Sequence, residues 1–474
     1  MKVLLASAEV APFAKVGGLA DVAGSLPKAL SQLDIDIRVI MPKYRQAVET
    51  ADEIERVADA VPVYMSDSET GCAVDRTYLP GSDVPVYLIE HNAYFDREFV
   101  YGPPGSSYPD NFERLVFFCR AALQAAEAIG FEPDVVHLND WHTSLIAAYT
   151  RMWDLPHATV FTAHNVGGAY QGTFSLDHLD LAGLDLGDRR ARMSVAGDHI
   201  NLARVGFSYG DMINTVSERY AQEIKDPTIG AGIHDLVAER GRDVWGILNG
   251  IDYDVWSPEN DDTIASQYDQ DDLSGKAICK SYLQSEFGLP EDEDVPLIGL
   301  VTRLDAQKGL DLVAEIVDDL DDCQVALLGT GSPDLEAEFA RAAAKHDNIA
   351  ARIEFSATVA HEVYAGADMF LMPSRYEPCG LGQMIALAYG TIPIVRRTGG
   401  LADSITEKGD TPNGFVFEKY SSKALKGAIN RALKAYDDPQ QWNELVQNAF
   451  NSDFSWDASA RRYEELYEAA LEKK

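Results

Sequence analysis

Short apolar runs rich in β-branched residues recur at positions 3–6, 35–40, 84–89, 135–138, 159–162 and 212–216, with longer stretches of helical patterning between them. Strands buried on both faces of a parallel sheet read as such continuous apolar runs, and helices carry the chain back from one to the next. The rhythm pauses at Asn249-Gly250 and through the polar stretch 257–272, then restarts with strand candidates at 297–301, 324–328, 353–355, 369–372 and 392–395. Helices are predicted over 111–129, 310–320, 335–345 and 381–389, and an amphipathic stretch with acidic faces runs over 456–471. The pattern predicts an α/β chain of two doubly wound domains, 1–248 and 249–455, followed by a helical segment 456–474 that could pack on either of them. In open sheets of this kind ligands bind beyond the carboxyl ends of the strands, so a cleft between two such domains is the expected site.

Composition narrows the chemistry. The 474 residues suffice for two or three cores, and 46% hydrophobic with 24% charged residues is ordinary globular usage. The 76 acidic against 40 basic residues leave a formal charge of −36, which disfavours nucleic acid as a partner. Acidic pairs such as Asp261-Asp262, Asp271-Asp272 and Asp321-Asp322 fit either a high-salt cytoplasm or an ordinary acidic cytosolic protein. Five scattered cysteines, with no Cys-x-x-Cys pair, fit a reducing compartment and argue against a zinc site. Glu9 interrupts the first apolar run well short of a signal-peptide core, and no run approaches the roughly 18 apolar residues of a membrane span. A cytoplasmic chain with no membrane contact is expected; its oligomeric state leaves no mark in the pattern.

Neither GxGxxG nor GxxxxGK[ST] occurs, which disfavours a dinucleotide dehydrogenase and a P-loop NTPase. The pentapeptide Gly-Gly-Leu-Ala-Asp occurs twice, at 17–21 and 399–403, each time where a strand would hand over to a helix. Bare backbone N–H groups at such a turn can meet phosphate oxygens, although a glycine turn needs no ligand. Arg303 and Lys308 follow the strand candidate 297–301, and a planar fork of donors beside a compact charge suits a diphosphate. Gly380 and Gly382 open the next helix with accessible N–H groups, and Glu377 just before them suits sugar hydroxyls better than phosphate. Asn139-Asp140-Trp141-His142 and His164-Asn165 follow the strands 135–138 and 159–162. Taken singly, each histidine reads as a structural hydrogen-bonder, Asp140 as a cap and Trp141 as core. Four polar clusters from two domains at the ligand-binding edge favour function.

These segments, with Lys15–Val22, Asn249–Asp252 and Arg396–Asp403, resemble in order and spacing the bacterial and plant glycogen/starch synthase family over essentially the whole chain. The resemblance implies two facing Rossmann-like domains of GT-B type with the last helix crossing back to the first. It also implies transfer of glucose, with retention, from a nucleotide-glucose to the non-reducing 4-hydroxyl of an α-1,4-glucan. No metal or cofactor is implied; ADP-glucose is the favoured donor, ADP the product, and UDP-glucose the alternative donor. By resemblance Lys15, Gly17, Gly18 and Asp21 face the donor, Arg303 and Lys308 hold its diphosphate, and Cys379, Gly380, Leu381 and Gly382 line its pocket. Glu377 contacts the glucose, His164 lies beside its anomeric carbon and 6-hydroxyl, and Asp140 and Asn249 complete the site. The expected catalytic set is therefore His164, Glu377, Arg303, Lys308 and Asp140.

Two features depart from relatives. The loop from His164 to Gly172 is longer by two residues, which bears on the acceptor side, and Ile385 stands where sucrose-type transferases carry a second glutamate. The alternatives are an α-glucan phosphorylase-like enzyme, which needs lysine-bound pyridoxal phosphate, and an inactive glucan-binding protein. The intact Lys15, His164, Arg303, Lys308 and Glu377 argue against the latter.

Overall fold

The computed structural model describes residues 1–65 and 68–474. The chain divides into two compact units, Met1–Gly250 with Trp456–Lys474, and Ile251–Ser455.

In the first unit a nine-stranded sheet runs in the order Val244–Gly246, Met212–Thr215, Ala158–Ala163, Val135–Asn139, Lys2–Ala6, Asp36–Pro42, Pro85–Glu90, Ser68–Tyr78 and Glu55–Met65. All neighbours up to Pro85–Glu90 pair in parallel. The apolar runs are these strands, and Val135–Asn139 and Ala158–Ala163 are buried along their whole length. The last two strands pair antiparallel, an edge the run-by-run reading does not predict. They lack continuous apolar runs because the outer one buries only alternate residues, Val61, Val63 and Met65, on one face. The chain winds one way from Lys2–Ala6 to Asp36–Pro42 and the other way from Val135–Asn139 to Ala158–Ala163. The switch point lies between Lys2–Ala6 and Val135–Asn139, where diverging connections open a crevice at the strand carboxyl ends.

The helix Trp456–Lys473 completes this unit. Its Tyr467 hydroxyl lies 2.9 Å from His137 Nδ1, and Asn214 Nδ2 donates to the Tyr463 hydroxyl at 3.1 Å, all four side chains being buried. Gly250 is glycine for a reason of space: a Cβ there would lie 2.6 Å from the backbone of Trp456.

The second unit holds a six-stranded parallel sheet in the order Ile349–Arg352, Gln324–Leu328, Leu297–Val301, Met369–Met372, Ile392–Arg396 and Phe415–Phe417. Its switch point lies between Leu297–Val301 and Met369–Met372. Two local expectations need correction. The strand expected at 353–355 is Ile349–Arg352, because its partner Gln324–Leu328 ends opposite Arg352 and leaves Phe355 91% exposed. The helix expected over 310–320 stops as Leu310–Ala314 and gives way to a single 3-10 turn at Val317–Asp319. Carboxylates at Glu315, Asp318 and Asp319 would sit at the negative end of a longer helix; Asp318 instead pairs with Lys345 and Asp319 with Lys426.

Candidate active site

In the second unit, the two strands flanking the switch point deliver their exits to one cavity of about 220 Å³, lined by residues that include Thr302, Arg303, Lys308, Ser374, Glu377 and Gly380. Asp305 caps the turn after Leu297–Val301, its Oδ1 accepting from the backbone N–H of Gln307 at 2.9 Å and of Lys308 at 3.3 Å. Its other oxygen lies 3.1 Å from Arg303 Nη1, and the Arg303 side chain stays 59% exposed. Lys308 reaches inward, with Nζ 2.7 Å from Glu377 Oε2, which also accepts from the Ser374 hydroxyl at 2.9 Å. The turn can approach so closely because Gly309, at φ +70°, has no Cβ; one would meet the carbonyl of Pro373 at 2.1 Å.

The second Gly-Gly-Leu-Ala-Asp packs beneath Glu377. A Cβ on Gly399, at φ +44°, would fall 1.8 Å from the Glu377 carbonyl, and one on Gly400 2.0 Å from that of Cys379. Gly400 N–H donates to the carbonyls of Glu377 and Pro378, both at 3.1 Å. Cys379 is buried, and the helix Gly382–Ala388 starts after Leu381 with no side-chain cap.

At the switch point of the first unit, Asp140 leaves Val135–Asn139 in a left-handed conformation, φ +58°. That turn aims its carboxylate at the next strand exit, where Oδ1 accepts from the backbone N–H of His164 at 2.7 Å. Burial outweighs this bond and a second one from Asn165, and the Asp140 carboxyl is pushed up to about 7. The Asn139 amide donates to the Ala6 carbonyl at 3.3 Å, so its oxygen faces His164 Nε2 at 3.0 Å. His164 therefore carries its proton on Nε2, with Nδ1 left as an acceptor. Burial lowers the ring to about 4 and keeps it neutral near pH 7.

Glu9, just beyond Lys2–Ala6, is 4% exposed. Oε2 accepts from the backbone N–H groups of Val16 at 2.7 Å and Gly17 at 2.8 Å, and Oε1 from the Tyr101 hydroxyl at 2.8 Å. Burial raises its carboxyl above the usual range, with the neighbouring Asp21 charge acting in the same direction. Lys15 points outward and pairs with Asp21 at 2.6 Å. Unlike Gly399 and Gly400, Gly17 and Gly18 have open space at their Cβ positions. The loop from His164 to Gly172 is tied at both ends: Val166 is buried, and Gln171 donates to the carbonyls of Val166 and Ala231 at 2.7 and 3.0 Å. Asn249 is buried with its Oδ1 unpartnered.

Lys15, Gly17, Gly18, Asp21, Asp140, His164 and Asn249 thus belong to the first unit, and Arg303, Lys308, Glu377, Cys379, Gly380, Leu381 and Gly382 to the second. Sequence reasoning missed Glu9, Tyr101, Asp305 and Ser374. Only Glu9 left a trace, as a charge at the end of the first apolar run.

Two such switch-point sites, one lined by cations and a carboxylate, define a glycosyltransferase of the GT-B fold. Residues 2–239 match the family described as starch synthase catalytic domain, and residues 283–449 match glycosyl transferases group 1. The glycogen synthase of Syntrophotalea carbinolica is 44% identical, covering 100% of this chain and 99% of that one; that of Thermotoga maritima is 42% identical at 100% and 99%. The catalytic domain of starch synthase IV from Arabidopsis thaliana, solved with ADP and acarbose, superimposes with a TM-score of 0.88 at 34% identity, covering 99% of each chain. Sucrose-phosphate synthase from Thermosynechococcus elongatus, at TM-score 0.62 and 18% identity over 100% of each chain, shares the fold. The chain belongs to the glycogen/starch synthase family, enzymes that use a nucleotide-sugar donor and a glucan acceptor. Among the described residues no helix is long and apolar enough to cross a membrane.

Proposed function

We propose that this synthase uses ADP-glucose and lengthens an α-1,4-glucan at its non-reducing 4-hydroxyl with retention at the anomeric carbon. The carrying observation is the Lys308–Glu377 pair in the switch-point cavity beside Arg303. A donor diphosphate supplies Lys308 with a new anionic partner, and Glu377 is then released to accept hydrogen bonds from the glucose hydroxyls. As the bond from the anomeric carbon to the diphosphate breaks, its electron pair stays on the phosphate. The growing charge falls on Arg303 and Lys308, whose interactions strengthen toward the transition state. The acceptor 4-oxygen then bonds to the same face of the oxocarbenium-like carbon, and its proton passes to the departing diphosphate.

Neither Glu377 nor Asp140 serves as a nucleophile in this reading. With donor bound, Glu377 is engaged by the Ser374 hydroxyl and the glucose hydroxyls, and Asp140 is held by the backbone N–H groups of His164 and Asn165. Neutral His164 offers Nδ1 as an acceptor for the 6-hydroxyl without placing a positive charge beside the carbocation. The ADP bound in the starch synthase IV neighbour supports the choice of donor, and five buried free thiols suit a reducing cytoplasm.

Purified protein is expected to release ADP from ADP-glucose only when glycogen or a maltooligosaccharide is present, with UDP-glucose assayed alongside. Release from UDP-glucose alone would overturn the donor assignment, and release from neither the transferase reading.

A further inference from the structure

We propose that Glu9 is a positioning residue for the transfer reaction, its carboxylate fixing the backbone of the loop that presents Lys15. The inference rests on the reading of Lys15 as a donor contact. Up to Ala14 the loop is fixed by paired backbone bonds between Val10 and Ala14, at 3.1 and 2.9 Å, and by Ala11 N–H to the Ala20 carbonyl at 2.9 Å; residues 15–18 beyond it are exposed and little packing holds them. Gly17 and Gly18 have no packing neighbour at their Cβ positions, the helix Gly18–Ser31 begins without a side-chain cap, and Lys15 is 57% exposed with Asp21 as its side-chain partner. Glu9 supplies the missing restraint from below, through the backbone N–H groups of the two residues that follow Lys15. Charge-assisted bonds of this kind are roughly twice as strong as neutral ones.

The same carboxylate reaches the other side of the switch point. Its Oε1 accepts from Tyr101, whose ring stacks on His142 at 4.9 Å, and His142 stacks on Trp141 at 3.8 Å. Trp141 is in turn covered by Gly172, where a Cβ would lie 2.1 Å from the indole. Glu9 therefore registers the Lys15 loop against the turn that carries Asp140. It touches neither sugar nor phosphate and acts through Lys15.

The test is a double-mutant cycle on the full-length protein with Glu9→Gln, Lys15→Ala and the pair. Turnover and both KM values are measured, and melting curves confirm folding. Glutamine fills the same space and can accept both N–H groups, so it removes chiefly the charge. Glu9→Gln is expected to lower kcat about tenfold with the glucan KM unchanged. In the Lys15→Ala background the same change should cost less than about twofold, because its route is already cut. Tyr101→Phe, which removes one of the three bonds, should fall between wild type and Glu9→Gln. An undiminished loss in the Lys15→Ala background overturns the proposal, as does unchanged kcat in Glu9→Gln. Wild-type kinetics in Lys15→Ala alone overturn the donor role of Lys15 instead.

Discussion

Lys308 and Glu377 neutralise one another inside a small cavity, so each is informative only with the other in mind. Lys308→Ala strips Glu377 of its counter-charge and, on the proposed reading, removes a cation from the leaving diphosphate. We expect kcat to fall by about 10²–10³-fold, the scale for loss of one preorganised electrostatic contact. Arg303→Ala is expected to act mainly on kcat as well; near wild-type turnover in either variant would remove its diphosphate role. Asp140 gives a prediction with a definite sign. Folded, its carboxyl keeps a proton up to about pH 7, whereas the unfolded group releases it near pH 4. The folded state binds more protons across that window, so this group's contribution to stability falls as pH rises through it. His164 works in the opposite direction between about pH 4 and its unfolded value near 6.5. Asp140→Asn keeps the shape and removes one titration, so its melting temperature should gain on wild type from pH 5 to 8. A difference constant with pH would contradict the assignment.

At the scale of elements, one pentapeptide does two jobs. In the second unit its glycines make room for the backbone under Glu377, and in the first they open a helix toward solvent. Gly399→Ala meets both a positive φ and the Glu377 carbonyl; it should cost at least about 2 kcal/mol and most of the activity. Gly17→Ala should change stability by less than about 1 kcal/mol, and equal melting shifts for the two would refute the contrast. The repeat was legible in the sequence but its division of labour was not, because open and occupied space look alike in a string of residues. The central strands were legible because continuous apolar runs have few other uses. The antiparallel edge was not, since alternating strands resemble loops, and the end of Ile349–Arg352 depends on where its partner strand stops. Arg303, Lys308 and Glu377 could be read from their place after apolar runs. Glu9 could not, because its donors come from loop backbone and from Tyr101, 92 residues away.

Over the whole molecule the charge of −36 dominates. At low ionic strength the acidic surface repels itself over tens of ångströms, and in molar salt the screening length shrinks to about 3 Å. Melting temperature should therefore rise from low to molar KCl; a flat or falling curve would mean that the acidic surplus does not limit stability. The last helix matters at this scale too. Tyr467→Phe leaves His137 Nδ1 unpartnered in the core of the first unit, with Nε2 still on the Thr162 hydroxyl, and should cost about 1–3 kcal/mol, visible as earlier melting.

That helix also sets an order of manufacture. The first unit is made of residues 1–250 and 456–474, with the whole second unit inserted between them. On a ribosome adding about 5–20 residues per second, the nine-stranded sheet waits roughly 10–45 s, with the sites of His137 and Asn214 uncovered, until the last helix emerges. The inserted unit is continuous and can close as soon as it is made. The half that is synthesised first is thus finished last, and a chain cut short near residue 455 would lose part of its first unit while keeping its second intact.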